Sequence, residues 1–202
     1  MQQRSFLEAV ANRRSCYRLG PNRPISEDRV IELVDATLRT MPSAFNTQST
    51  RIVILFGAHH KTLWKLVLEA LHALLPPEAF ENSREKVETS FAAGWGTLLF
   101  YEDMAVIDAA KRTYATYADQ MEHYAEHTSA MHQLALWTLL EEAGLGASLQ
   151  HYTPLIEERV AHQWSIHPTW RMVAQMPFGY IDQLPAPHPQ LSPIETRRAI
   201  YR

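Results

Sequence analysis

Three short apolar runs dominate the folding problem posed by this chain: RIVILF at 51–56, TLLFYEDMAVI at 97–107 and RMVAQMPFG at 171–179. RIVILF is rich in β-branched residues and reads as a strand with both faces buried; the other two read as further strands. Between them lie longer stretches with helical spacing. Residues 3–12 place Phe6, Leu7 and Val10 on one face. Ser26 is an N-cap, with Glu27 and Asp28 in the first turn, for a helix that Pro42 stops. Leu63, Leu66, Val67, Leu71 and Leu74 mark a helix over 59–74, and another follows Pro76-Pro77 over about 78–91. A long helix over 117–143 ends at the Gly144/Gly146 stop signals. Thr153 reads as the N-cap of a shorter one, with Pro154 at its first helical position. The order helices, strand, helices, strand, long helix, strand predicts an α+β fold with a small sheet packed among helices.

At 202 residues the chain is expected to form one domain over 1–202. The stretch LPAPHPQLSP is too proline-rich for a helix or an inner strand, so about 181–202 form an extended C-terminal arm. Such an arm often crosses to a partner, which predicts a homodimer. A net charge of −3 gives no field to draw nucleic acid or an anionic membrane. The single cysteine, Cys16, excludes an internal disulfide and fits a reducing compartment. The N-terminus lacks a signal-peptide core, and no apolar run reaches the roughly 18 residues of a membrane span. The expectation is a soluble, cytoplasmic protein.

Four polar groupings carry chemistry. Arg13-Arg14-Ser15 places two guanidiniums and a hydroxyl at a helix exit, a set able to hold phosphate or to be simply solvated. PSAFNTQSTR at 42–51 has seven hydroxyl, amide or guanidinium side chains in ten positions. Ser43, Asn46 and Gln48 offer the mixed donors and acceptors that a heteroaromatic ring edge requires; a solvated loop is the alternative. Phe45 between them packs on a flat ring or plugs the core. GLGASLQHYTP at 144–154 has glycines that let backbone approach a ligand, with Gln150, His151 and Tyr152 beyond; a helix cap accounts for the glycines alone. His123 and His127, with His132 nearby, have zinc-compatible spacing, yet an exposed histidine face accounts for them better and no metal is expected. His59-His60 opens a helix facing solvent. Arg14 and Arg18 beside Cys16 would lower its pKa, but with no placed base it is no nucleophile.

Taken together, PSAFNTQS-RIVILFG-HHK-LW, GWGTLLFYED, GLGASLQHY and W-----WR--AQMPFG resemble the nitroreductase family of FMN-dependent oxidoreductases. Within it, they resemble the small subgroup related to the fatty-acid-repression-mutant protein. The resemblance spans about 12–180 and implies a nitroreductase-like fold in an intertwined homodimer. It implies that Arg13, Arg14 and Ser15 hold the FMN phosphate and ribityl end. Ser43, Asn46 and Gln48 then line the flavin across the dimer interface, and Lys86, in NSREKVE, stands near its pyrimidine edge. Gln150 and His151 present backbone near N5, and Arg197, beside Arg198, supplies a second phosphate-binding base. Where many relatives carry a base two positions after the Arg-Arg-Ser motif, this chain has Tyr17. The implied activity is ping-pong hydride transfer from NAD(P)H through FMN to nitroaromatic or quinone-like acceptors, the chemistry residing on FMN rather than on a catalytic side chain. Two other readings stay open: a flavin-binding regulator with little turnover, lipid- or stress-linked, and a His-rich metal-binding helical protein.

Overall fold

Local signals set most of the helices. The computed structural model describes residues 5–185 and 190–202; residues 3 and 4 of the expected first helix, and 186–189 of the arm, lie outside the described residues. Helix α1 is Phe6–Asn12, opened by a capping box in which Ser5 and Glu8 bond each other's backbone amides. Helix α2, Glu27–Thr40, starts at Ser26, whose hydroxyl accepts from the Arg29 amide, and buries Val30, Leu33, Val34 and Thr37. Strand β2, Thr50–Phe56, turns into α3, Gly57–Leu74, through Gly57 at φ +53°. Helix α4, Pro77–Lys86, ends in a π turn over Val87–Phe91.

The run at 97–107 divides. Strand β3 is Gly96–Asp103 and helix α5 is Met104–Thr113. Asp103 causes the break: its carboxylate accepts from the Ala105 amide at 3.1 Å and from the Thr169 hydroxyl at 2.7 Å, so it caps the helix. Ile107 and Ala110 then fall on one buried helical face. The long helix α6 is Met121–Glu142, preceded by a 3₁₀ segment over Ala115–Gln120. Helix α7, Thr153–Trp164, begins one residue earlier than its sequence suggests. Tyr152 is the cap residue, and the Thr153 hydroxyl bonds the Val173 carbonyl instead of capping.

Two strands of two residues each, β1 (Leu19–Gly20) and β4 (Gly146–Ala147), join β2, β3 and β5 (Trp170–Ile181). All pairings are antiparallel, in the order β1-β5-β3-β2 with β4 also on β5. Alternation along the strands divides the core. Leu98, Phe100, Ala174, Met176 and Phe178 pack with α2 and α6, whereas Leu99, Tyr101 and Met172 pack with α3 and α7. β2 is the outer strand and only half-buried, although both its faces meet a cluster. Part of the apolar face of α1 stays uncovered: Phe6 is 80% exposed and Leu7 75%, whereas Val10 is half-buried. Among the described residues, no helix is long and apolar enough to cross a membrane.

His60 is buried rather than solvent-facing. The Trp64 indole donates to the Thr97 hydroxyl at 3.1 Å, and that hydroxyl lies 2.8 Å from His60 Nδ1. His60 Nε2 lies 3.2 Å from the Ala92 carbonyl, so a neutral imidazole with its proton on Nε2 satisfies the whole relay. Burial pushes the His60 pKa down to about 4. A depressed histidine disfavours protonation of the native state. Its stabilisation is therefore present in full above about pH 6.5 and lost as the pH falls through about 4, amounting to about 3 kcal/mol. Urea midpoints measured against pH should show this loss in the native protein and a flatter profile in His60→Phe.

Candidate functional site

The Arg13–Ser15 segment leaves α1 and is fastened to β4. Ser15 bridges Ala147, and the Cys16 amide donates to the Ala147 carbonyl at 2.9 Å. The Trp137 indole donates to the Arg14 carbonyl at 3.2 Å, and the Arg13 guanidinium lies 4.2 Å from the centre of the Trp137 ring. Arg13 Nε is buried with no hydrogen-bond partner among the described residues. Burial and the neighbouring charge of Arg14 lower the Arg13 pKa. A buried, unmatched guanidinium donor beside a second arginine suits an anion. Cys16 does not become a thiolate: burial pushes its thiol pKa up, outweighing the pull of Arg14.

Immediately after this segment, Tyr17 and Arg18 form one wall of a cleft of about 520 Å³; Asn82, Glu85, Lys86, Thr89 and Ser90 form the other. The end of α4 and the π turn make that second wall, anchored from behind by buried Val87 and Phe91. The Lys86 ammonium lies 5.6 Å from the Tyr17 ring centre and 5.9 Å from that of Phe91. Arg84, two residues away, is engaged with Glu81 at 2.6 Å and Glu88 at 2.8 Å, whereas no carboxylate pairs with Lys86 among the described residues. Asn82, Thr89 and Ser90 were not singled out from the sequence. Asn82 stands four residues before Lys86 on one helix, a spacing from which a shared face follows.

The polar stretch at 42–51 forms a tight turn elsewhere on the molecule, and it contributes no residue to the lining of that cleft. Ser43 Oγ accepts from the Gln48 amide at 3.0 Å. Phe45, Asn46 and Gln48 all have left-handed backbone, with φ of +52°, +52° and +51°. Left-handed backbone costs roughly 1–2 kcal/mol at each such residue. Phe45 does not plug the core; it is exposed and stacks on Tyr114 with ring centres 4.2 Å apart. Arg51 holds the end of the turn, donating to the Gln48 carbonyl at 2.8 Å and pairing with Asp103 at 3.0 Å.

The glycines at 144–146 serve their own chain. Gly144, at φ +82°, ends α6. A Cβ on Gly146 would stand 2.8 Å from both Cys16 Cβ and Ile181 Cγ1. Beyond them, the Gln150 backbone is engaged with Gln175 in both directions, at 2.7 and 2.9 Å. Of the two residues expected to offer backbone here, Gln150 is thus committed, and His151 is the exposed one. Buried Gln175 organises this loop, accepting from the Tyr152 amide at 2.8 Å and donating to the Thr153 hydroxyl at 3.0 Å. Its signal in the sequence is an amide inside an otherwise apolar strand.

Arg197 follows the turn Ile194–Thr196, exposed and outside the cleft's lining. The histidine face is only partly a surface feature. The His123 and His127 rings meet edge-on at 4.2 Å and are exposed, but His132 is buried, its Nδ1 2.9 Å from the Thr128 carbonyl. Among the described residues, no three His, Cys, Asp or Glu side chains converge to hold a metal.

Comparison with known proteins agrees with this architecture. The sequence profile of the Nitroreductase family matches residues 10–180. The nitroreductase FRM2 of Saccharomyces cerevisiae is 32% identical over 183 residues, 90% of each chain. The structure of nitroreductase CinD from Lactococcus lactis in complex with nicotinic acid superposes with a TM-score of 0.90 at 38% identity, covering 98% of this chain and all of the other. The same protein in complex with 4-nitrophenol gives a TM-score of 0.87 at 36% identity over the same spans. A putative nitroreductase in complex with FMN from Exiguobacterium sibiricum shares the fold, with a TM-score of 0.73 at 15% identity. With a family match over most of its length and relatives above 30% identity covering nearly all of it, this chain belongs to the nitroreductase family.

Proposed function

We propose that the protein is an FMN-dependent oxidoreductase that passes hydride from NAD(P)H to nitroaromatic or quinone-like acceptors, working as a homodimer. One observation carries this reading. A cleft with a guanidinium-bearing segment beside it and an uncommitted lysine in its wall has a single side-chain amide, Asn82, among the described residues that line it, while the amide-rich turn of the same chain contributes nothing to that lining. Two copies complete each other. Phe6, Leu7, Leu191 and Tyr201, all exposed, supply apolar surface for such a pairing.

Bound FMN would supply the redox chemistry, hydride transfer between the nicotinamide and the acceptor. The chain binds and orients it. Arg13, Arg14 and Ser15 hold the phosphate and ribityl end, with Arg197 from the arm as a second base, and Ser43, Asn46 and Gln48 of the second chain meet the hydrogen-bonding edge of the ring. Lys86 offsets negative charge at the pyrimidine edge, and His151 rather than Gln150 offers its amide near N5. Nicotinic acid and 4-nitrophenol, the molecules bound by the Lactococcus protein, stand respectively for the nicotinamide donor and a nitroaromatic acceptor.

Protein incubated with FMN and desalted should stay yellow, with one flavin per chain, run as a dimer in light scattering, and oxidise NADH or NADPH when 4-nitrophenol is added. Colourless protein would remove the reading altogether. Yellow protein with no turnover would leave a flavin-binding regulator in its place.

A further inference from the structure

Glu102 continues the row of Leu98 and Phe100 on the sheet face that packs against α2 and α6. An apolar residue belongs at that position, yet a carboxyl stands there with 0% exposure. Its hydrogen bonds come from two hydroxyls: Ser49 to Oε2 at 2.5 Å and Thr50 to Oε1 at 2.7 Å. The charged groups around it are committed elsewhere. Arg51 on β2 pairs with Asp103 at 3.0 Å, and Arg171 on β5 pairs with Glu122 of α6 at 3.0 Å, which also holds Lys111 of α5 at 2.6 Å. Burial outweighs both hydroxyls and both arginines and pushes the Glu102 pKa up.

Ser49 and Thr50 are the two residues that follow the left-handed turn. Three non-glycine residues in that conformation persist only where surrounding contacts hold them. The Asp103 amide to the Ser49 carbonyl at 2.9 Å and Arg51 to the Gln48 carbonyl are two such contacts; the buried carboxyl supplies the side-chain pair. We propose that Glu102 is the positioning residue of the amide turn: gripping both hydroxyls after Gln48, it fixes Asn46 and Gln48 in the backbone that presents their side chains to flavin. The link to flavin rests on the function proposed above; the grip itself does not. The neutral acid is the form that suits this site. As the pH rises through the raised pKa, a charge forms where water cannot reach it, the contribution to stability is lost, and the turn loosens.

The test compares native protein, Glu102→Gln and Glu102→Ala by amide hydrogen exchange of 45–49 without flavin, referenced to Leu98–Phe100, and by the Kd for FMN, from mildly acidic to mildly alkaline pH. Glu102→Ala should lower protection of the turn and weaken FMN binding, each roughly 10-fold, as expected for hydroxyls left without their acceptor. Glu102→Gln, permanently neutral and of the same shape, should keep protection and affinity while abolishing their pH step. Should Glu102→Ala not fold, Ser49→Ala removes one grip and is expected to loosen the turn at all pH values. Native protection of 45–49 in a folded Glu102→Ala, or in Ser49→Ala where that variant stands in, would overturn the proposal, as would an unchanged pH step in Glu102→Gln. Native protein that takes up no FMN, while the loss of the grip still loosens the turn, would remove the flavin reading and leave the grip standing.

Discussion

Gly179→Ala is expected to lose about 3 kcal/mol of stability or more, the largest single effect foreseen for a one-carbon change in this chain. A Cβ at that position would lie 2.6 Å from the Gly20 carbonyl oxygen, 3.0 Å from the Trp95 nitrogen and 3.1 Å from Gly94 Cα. All three are backbone atoms, so no side chain can rotate away. β5 is held there on both sides, with Gly146 paired to Gly179 and Gly20 to Tyr180. Relief must come from separating strands. β1 directly follows Tyr17 and Arg18, so the cleft wall they form should be lost with it. Gly57→Ala is the control: with open space around it, only its left-handed backbone at φ +53° opposes the change, at a cost of roughly 1–2 kcal/mol. Urea unfolding of both variants decides the matter. A Gly179→Ala midpoint equal to that of the native protein would show that the crossing is looser than these distances require.

Lys86→Met should leave the unfolding midpoint nearly unchanged, because the side chain is exposed, yet reduce flavin-dependent turnover by roughly 10- to 100-fold. The expectation follows from the division of labour at the end of α4. Arg84 is engaged by Glu81 and Glu88, and the nearby ammonium of Lys86 is left facing Tyr17 across the cleft, over the Phe91 ring that backs its own wall. A cation in that position favours the more negative state of a bound ring, so its removal should slow the reductive half-reaction and weaken FMN binding. Lys86→Arg should recover part of both. Stopped-flow reduction by NADPH and FMN titration give the two readouts. Native rates and affinity in Lys86→Met would withdraw the role assigned to this lysine.

Much of the frame is legible in the residues. Ser26 with Glu27 and Asp28 marks α2, Pro42 its end, and RIVILF the second strand. The errors share a cause. Asp103 and Thr153 take partners distant in sequence, so local pattern extends one strand through 107 and makes a cap of a threonine whose hydroxyl faces Val173. β1 and β4 are invisible because two residues carry no periodicity; only their registry with β5 makes them strands. In the site, resemblance points to Lys86, Arg13 and the amide turn. Thr89 and Ser90 join the cleft through a π turn that helical spacing does not announce. Glu102 meets Ser49 and Thr50 half a hundred positions away, which no window of sequence can reveal.

The pairing of β1 with β5 sets an order of events during synthesis. Leu19 and Gly20 meet Ile181 and Tyr180, and Cys16 meets Ala147. The arginine-bearing segment therefore leaves the ribosome well before the elements that seat it, and β1 beside it is fixed only once β5 has emerged. Contacts so distant along the chain form slowly. A nascent product that stopped before Trp170 would lack the one strand against which β1, β3 and β4 all align.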